Sequence, residues 1–159
     1  EVMGFGKTFG EAYFKAQRAA GVILPKTGNV FISVRDHDKD PMCDVALELI
    51  DMGFKIYATS GTFLHLKNAG VECFKINKVK DGHPHIVDMI KNNEVHLIIN
   101  TTEGARSIKD SFSIRKEAQN YKISLTTTVS GAKAFCKAIK FIDDFDAVDL
   151  KQRHESISN

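Results

Sequence analysis

Lys55-Ile56-Tyr57-Ala58-Thr59-Ser60-Gly61-Thr62-Phe63 is the stretch on which the reading of this chain turns. A short apolar run, Lys55 to Ala58, passes through a small-hydroxyl turn with one glycine into a helix-like run, Phe63 to Ala69. A strand that turns at once into a helix leaves backbone N–H groups at the helix start, at the positive end of its dipole. Three hydroxyls are interleaved with them, and such a turn is a natural seat for a phosphate. The same residues also fit an ordinary N-cap, with Thr59 or Ser60 capping and Gly61 easing the turn.

The alternation extends in both directions. Asn29 to Arg35 is a near-continuous apolar run, as expected of a strand covered on both faces. Pro41 to Met52 fits a helix with proline in its first turn and Gly53 just past its end. Glu72 to Ile76 reads as a third strand, His85 to Asn92 as a helix and His96 to Asn100 as a fourth strand. Ile108 to Tyr121 then reads as a helix, Lys122 to Thr126 as a fifth strand and Ala132 to Ile142 as a last helix. Strand–helix alternation at this spacing predicts a doubly wound, five-stranded parallel sheet in a three-layer α/β/α arrangement. Ahead of it, Thr8 to Ala20 carries apolar residues at loosely helical spacing. Residues 1–28 therefore read as a lead-in helix and linker, 29–150 as the domain and 151–159 as a polar tail. The chain opens at Glu1, and Met3 is not a convincing initiator, so it reads as a piece of something longer.

Composition narrows the function. A chain of 159 residues, 43% hydrophobic and 26% charged, is sized and composed for one globular domain. The net charge of +2 and the scattered basic residues argue against nucleic acid. No apolar run approaches membrane-spanning length, and no signal peptide is visible. Cys43, Cys73 and Cys136 are isolated and odd in number, which suits reduced thiols in a cytoplasmic protein.

In open parallel sheets, ligands sit beyond the carboxyl ends of the strands. The first such end carries Ser33, Arg35, Asp36, His37, Asp38 and Lys39, and the second the Thr59–Thr62 turn. The third carries Asn77, Lys78 and Lys80, and the fourth Asn100, Thr101, Thr102 and Glu103. The fifth carries Thr126, Thr127, Thr128 and Ser130. A phosphate fits the turn and Lys39, and a ribose hydroxyl pair fits Lys78, Asn100 and Thr102. The set reads as a pocket for a nucleotide monophosphate. A triphosphate site is disfavoured, because neither G-x-x-x-x-G-K-[ST] nor G-x-G-x-x-G occurs between a strand and a helix. Asp36-His37-Asp38 and His83-Pro84-His85 are short candidate acid–base or metal clusters, each without a third ligand at recognisable spacing. No catalytic pair and no metal site is assigned.

With those loops laid out, the sequence resembles the C-terminal allosteric domain of the carbamoyl-phosphate synthase large subunit, of the methylglyoxal-synthase-like superfamily. The matching stretches begin with Glu1–Gly4, Thr8-Phe9, Glu11-Ala12, Ser33–Arg35, Asp38-Lys39 and Gly53-Phe54. They continue with Ala58-Thr59, Gly61-Thr62, Asn77–Val79, Gly82 and Pro84–Ile86. Ile98–Thr102, Gly104, Asp110-Ser111, Ile114-Arg115 and Tyr121-Lys122 complete them. The resemblance implies a shared pocket for UMP as inhibitor and IMP as activator. Carried over position by position, Ser33, Lys39, Thr59, Thr62, Lys78, Asn100, Thr101, Thr102 and Asp110 match its nucleotide-binding pattern.

The resemblance further implies a non-catalytic part of an ATP-dependent ligase. That enzyme makes carbamoyl phosphate from glutamine, bicarbonate and ATP, with magnesium and potassium, for pyrimidine and arginine biosynthesis. Its partners would be the synthetase domains of the same chain and a small glutamine amidotransferase subunit. Some members bind ornithine through a Tyr-Asp-Thr run at the fifth strand. Here the run is Leu125-Thr126-Thr127, which keeps only Thr127 and supplies no carboxylate. Methylglyoxal synthase shares the fold, but it needs a His after the first strand and an Asp base after the third, where this chain has Arg35 and His83. The purine-pathway cyclohydrolase domain is the other alternative.

Overall fold

The structure, a computed structural model, describes residues 1–143, except for the side chains of 104–108 and 110. Five strands form one sheet: β1 (Gly28–Ser33), β2 (Phe54–Ala58), β3 (Phe74–Lys75), β4 (Leu97–Asn100) and β5 (Ser124–Thr126). Their order is β3-β2-β1-β4-β5, and every pairing is parallel. Six helices accompany them: α1 (Phe9–Ala19), α2 (Lys39–Asp51), α3 (Ser60–Asn68), α4 (Ile86–Lys91), α5 (Gly104–Asn120) and α6 (Val129–Ile139). The five-stranded α/β/α reading is borne out.

The apolar run of β1 explains its central place. Val30, Phe31 and Ile32 are all fully buried, and their side chains alternate between two cores. Val30 and Ile32 join Leu97 and Ile99 beneath α2, α3 and α6, with Met42, Leu49, Leu66 and Phe135. Phe31 and Ile98 face the opposite way, into Ile86, Ile90 and Ile114 of α4 and α5. A strand buried on both faces has no polar side to spare, which is why its sequence does not alternate.

Several element ends differ from the sequence reading. α3 starts at Ser60 rather than Phe63, so the glycine turn lies within its first turn. α5 starts at Gly104 rather than near Ile108. α6 starts at Val129 rather than Ala132, because the Thr128 hydroxyl caps it by accepting from Gly131 N at 3.0 Å. β3 shrinks to two exposed residues at the sheet edge.

The lead-in helix is docked. Thr8 caps α1, and its buried face packs on α6. Gly10 permits that approach, since a β-carbon there would meet the Lys137 carbonyl oxygen at 2.7 Å and Phe141 at 2.9 Å. The far end of the 29–150 segment and the polar tail lie outside the described residues. Among the described residues, no helix is long and apolar enough to cross a membrane.

Candidate functional site

The chain winds outward from β1 through β2 to β3, and in the other direction through β4 to β5. β1 and β4 are therefore the neighbours at which the winding reverses, and crevices form beyond their carboxyl ends. A cleft of about 340 Å³ lies there. Ser33, Val34, Arg35 and Asp36 line it from β1, and Thr101 and Glu103 from β4. Lys78 reaches it from the segment after β3, and Ser111 and Ile114 from α5.

The walls are tied together by side chains bonded to backbone. Asn100, 1% exposed, donates from Nδ2 to the Ser33 carbonyl at 3.3 Å. Arg35 N donates to Thr101 Oγ1 at 3.1 Å, so the two strand ends are stitched across the gap. The Arg35 side chain is held by Asp38, with Nε donating to Oδ2 at 2.8 Å. Burial pushes the Asp38 carboxyl up. Hydrogen bonds from Arg35 and Thr101, and the guanidinium charge, outweigh that and hold it below its usual range.

The opening stretch of sequence forms a second wall. Thr59 occupies the N-cap position of α3, but its side chain does not cap the helix. Its hydroxyl lies 3.0 Å from the Ser33 hydroxyl instead. Thr62, 2% exposed, accepts from Val34 N at 3.2 Å. Both threonines therefore bolt α3 to β1, and the helix start has no side-chain cap. Lys39, from the first turn of α2, brings its ammonium there: a β-carbon added to Gly61 would stand 3.5 Å from Lys39 Nζ. Asp36 holds that ammonium at 2.6 Å, and the lysine hydrogen bond, followed by its charge, lowers the Asp36 carboxyl. A cation placed against uncapped N–H groups is an anion site in outline.

The predicted residues thus fall into distinct places. Ser33, Lys78 and Thr101 line the cleft. Lys39 stands at the α3 start. Thr59, Thr62 and Asn100 form the buried frame. Thr102 is held from behind by α5. Asp110 lies on α5, and its side chain is outside the described residues. Thr127 follows β5 as an exposed residue.

Two contributors escaped the sequence reading. Arg115 donates from Nε to Asn100 Oδ1, and from Nη2 to the Asn100 carbonyl and Thr102 Oγ1, each at 3.1 Å. It holds the end of β4 in place. The signal was a charge at helical spacing on the inward stripe of Ser111, Ile114 and Ala118. The other is Asp88, four residues beyond Pro84, whose carboxylate reaches back to both histidines of the His83-Pro84-His85 run. It is the third polar group that this run had lacked.

Residues 41–127 match the family described as MGS-like domain. A solved methylglyoxal synthase from Elizabethkingia anophelis superposes with a TM-score of 0.59 over 83% of this chain and 93% of that one. At 15% identity, that likeness speaks for the fold. The chain is 55% identical over 157 residues to the carbamoyl phosphate synthase large chain of Pseudomonas syringae and 54% identical to that of Pseudomonas putida. The match to Xanthomonas campestris is 45%. Each pairing covers 99% of this chain, and the chain spans only about 15% of the length of these relatives. On sequence and fold together, the chain belongs to the MGS-like domain family, in the form that occurs within carbamoyl phosphate synthase large chains.

Proposed function

We propose that this chain is the regulatory domain of a carbamoyl phosphate synthase large chain, and that its cleft binds a nucleoside monophosphate. The observation that carries the reading is the placement of Lys39 against the uncapped start of α3, beside the cleft between β1 and β4. A phosphate would sit on the helix start with Lys39 as its counter-ion. The sugar and base would then lie along Ser33, Thr101 and Lys78, with Asn100 and Thr102 setting the depth of the cleft. UMP and IMP are the ligands that the sequence resemblance favours, the first as inhibitor and the second as activator.

Such a ligand takes no part in chemistry. It changes activity only by binding two arrangements of the domain with different affinity, typically a coupling of about 1–3 kcal/mol. The activity it would control is ATP-dependent synthesis of carbamoyl phosphate, by synthetase domains of the same chain with a glutamine amidotransferase subunit, in the cytoplasm. A thermal-shift screen with UMP, IMP and ornithine tests this reading. UMP and IMP raise the melting temperature, and ornithine leaves it unchanged, because Thr127 alone offers no carboxylate to its ammonium. Turnover of dihydroxyacetone phosphate to methylglyoxal would favour the lyase reading instead.

A further inference from the structure

Asp88 gathers three groups onto one carboxylate oxygen. His83 Nδ1 lies 2.7 Å from Asp88 Oδ2, and His85 Nδ1 lies 3.1 Å from it. The His85 backbone N–H donates to the same oxygen at 2.8 Å. The two imidazole rings stand 4.3 Å apart at 33°. His85 is 7% exposed, whereas the His83 side chain is 78% exposed. Donor atoms of all three side chains lie within 4.8 Å of one another, and among the described residues no other group of three histidines, cysteines or carboxylates does so.

Helix capping explains only part of this arrangement. Asp88 N donates to His85 Nδ1 at 3.3 Å, which requires a lone pair on that nitrogen. The same lone pair then faces a carboxylate oxygen 3.1 Å away. A bare lone pair and a carboxylate oxygen at that separation repel each other, and either a proton on Nδ1 or a metal cation between them relieves the contact.

Two imidazoles and one carboxylate are a donor set for borderline divalent cations. Zinc holds such ligands at about 2.0–2.2 Å, which sets tetrahedral ligand atoms roughly 3.3 Å apart. The two separations from the Asp88 oxygen, 2.7 and 3.1 Å, need to open by only about 0.2–0.6 Å to reach that spacing. The exposed His83 ring is free to make the adjustment, and it leaves the fourth position open to solvent.

We propose that His83, His85 and Asp88 form a site for a divalent transition cation of the zinc class, with three protein ligands and one open position. The site stands apart from the nucleotide reading, since none of its residues lines the cleft. It nevertheless fastens the segment that carries Lys78. Asn77 pairs with His85, and its carbonyl accepts from Ile86 N at 3.2 Å, so a cation would pin both ends of the Lys78–His85 turn.

Cobalt titration of the metal-free protein, followed by visible absorption, tests the proposal, with zinc competition for affinity. The expected result is one equivalent bound, with the ligand-field bands of a four-coordinate site, all displaced by zinc. His83→Ala, an exposed change that spares the cap, weakens binding at least about tenfold. His37→Ala, which removes the imidazole of the Asp36-His37-Asp38 cluster, leaves binding intact. No saturable binding at millimolar cobalt would overturn the proposal. So would loss of binding on His37→Ala, or unchanged affinity in His83→Ala, which would place the metal away from this turn.

Discussion

Lys39 and Gly61 face each other across two helix starts: a β-carbon added to Gly61 would lie 3.5 Å from the lysine ammonium. The lysine belongs to the first turn of α2 and the glycine to the first turn of α3, so the charge of one helix start serves the open N–H groups of the other. Asp36 is the only group joined to that ammonium by an ion pair among those described, and its side chain is 97% exposed. Two opposite effects on nucleotide binding follow. Lys39→Ala removes the counter-ion and weakens UMP or IMP binding about ten- to a hundredfold, given roughly 1.5–3 kcal/mol for a hydrogen bond to a charged group. Asp36→Asn removes the competitor for the ammonium and tightens binding. Calorimetric titration measures both, and a shift in the same direction for the two variants would disconnect this pair from the ligand.

Arg115 is the brace behind the cleft, with three hydrogen bonds to Asn100 and Thr102. Arg115→Ala leaves the Asn100 side-chain carbonyl without this partner and frees the end of β4. The expected loss is about 1.5–3 kcal/mol of stability by denaturant unfolding. Nucleotide affinity falls as well, although Arg115 does not line the cleft. A variant of unchanged stability would mean that the brace contributes nothing net.

The docking of α1 on α6 rests on the absence of a side chain at Gly10. Gly10→Ala drives a methyl group into the Lys137 carbonyl and the Phe141 ring, an overpacking that costs about 1–3 kcal/mol. Alanine is otherwise the better helix former by about 1 kcal/mol. A melting temperature that rises would therefore show α1 standing clear of α6.

Acid sensitivity follows from Asp38, which is 8% exposed and paired with Arg35. Burial raises its carboxyl, and the Arg35 and Thr101 hydrogen bonds reverse that to a net lowering. A carboxyl lowered on folding adds stability that is complete above its unfolded value of about 3.9, and that stability disappears as pH falls through the folded value. Asp36, lowered first by the Lys39 hydrogen bond, and Asp88, lowered first by the His85 backbone, act in the same direction. Stability therefore drops as pH is taken below about 4. Asp38→Asn is less stable at neutral pH and loses less than the parent protein over that acid range. Melting temperatures of both proteins across the range check this.

The five-stranded parallel sheet was legible because central strands such as β1 and β4 must be apolar to lie between layers, whereas the strand order came only with the structure. β3 was harder to read, since two exposed edge residues leave no pattern. The start of α3 was misplaced because Thr59 and Thr62, which look like free hydroxyls in sequence, are spent on Ser33 and Val34. Those partners are 26 and 28 residues away, and only the sheet brings them together. Arg115 was invisible as a brace for the same reason. His83 and His85 stood out in the sequence, but Asp88 did not, because its convergence with them depends on the turn that makes His85 a helix cap.

The central claim is that Lys39 and the α3 start recognise a phosphate. Calorimetry comparing UMP with uridine, on the parent protein and on Lys39→Ala, tests it most directly. The account predicts that UMP binds the parent protein far more tightly than uridine does, and that Lys39→Ala removes most of that difference. Equal affinity for UMP and uridine on the parent protein, or an undiminished preference for UMP in the variant, would contradict it.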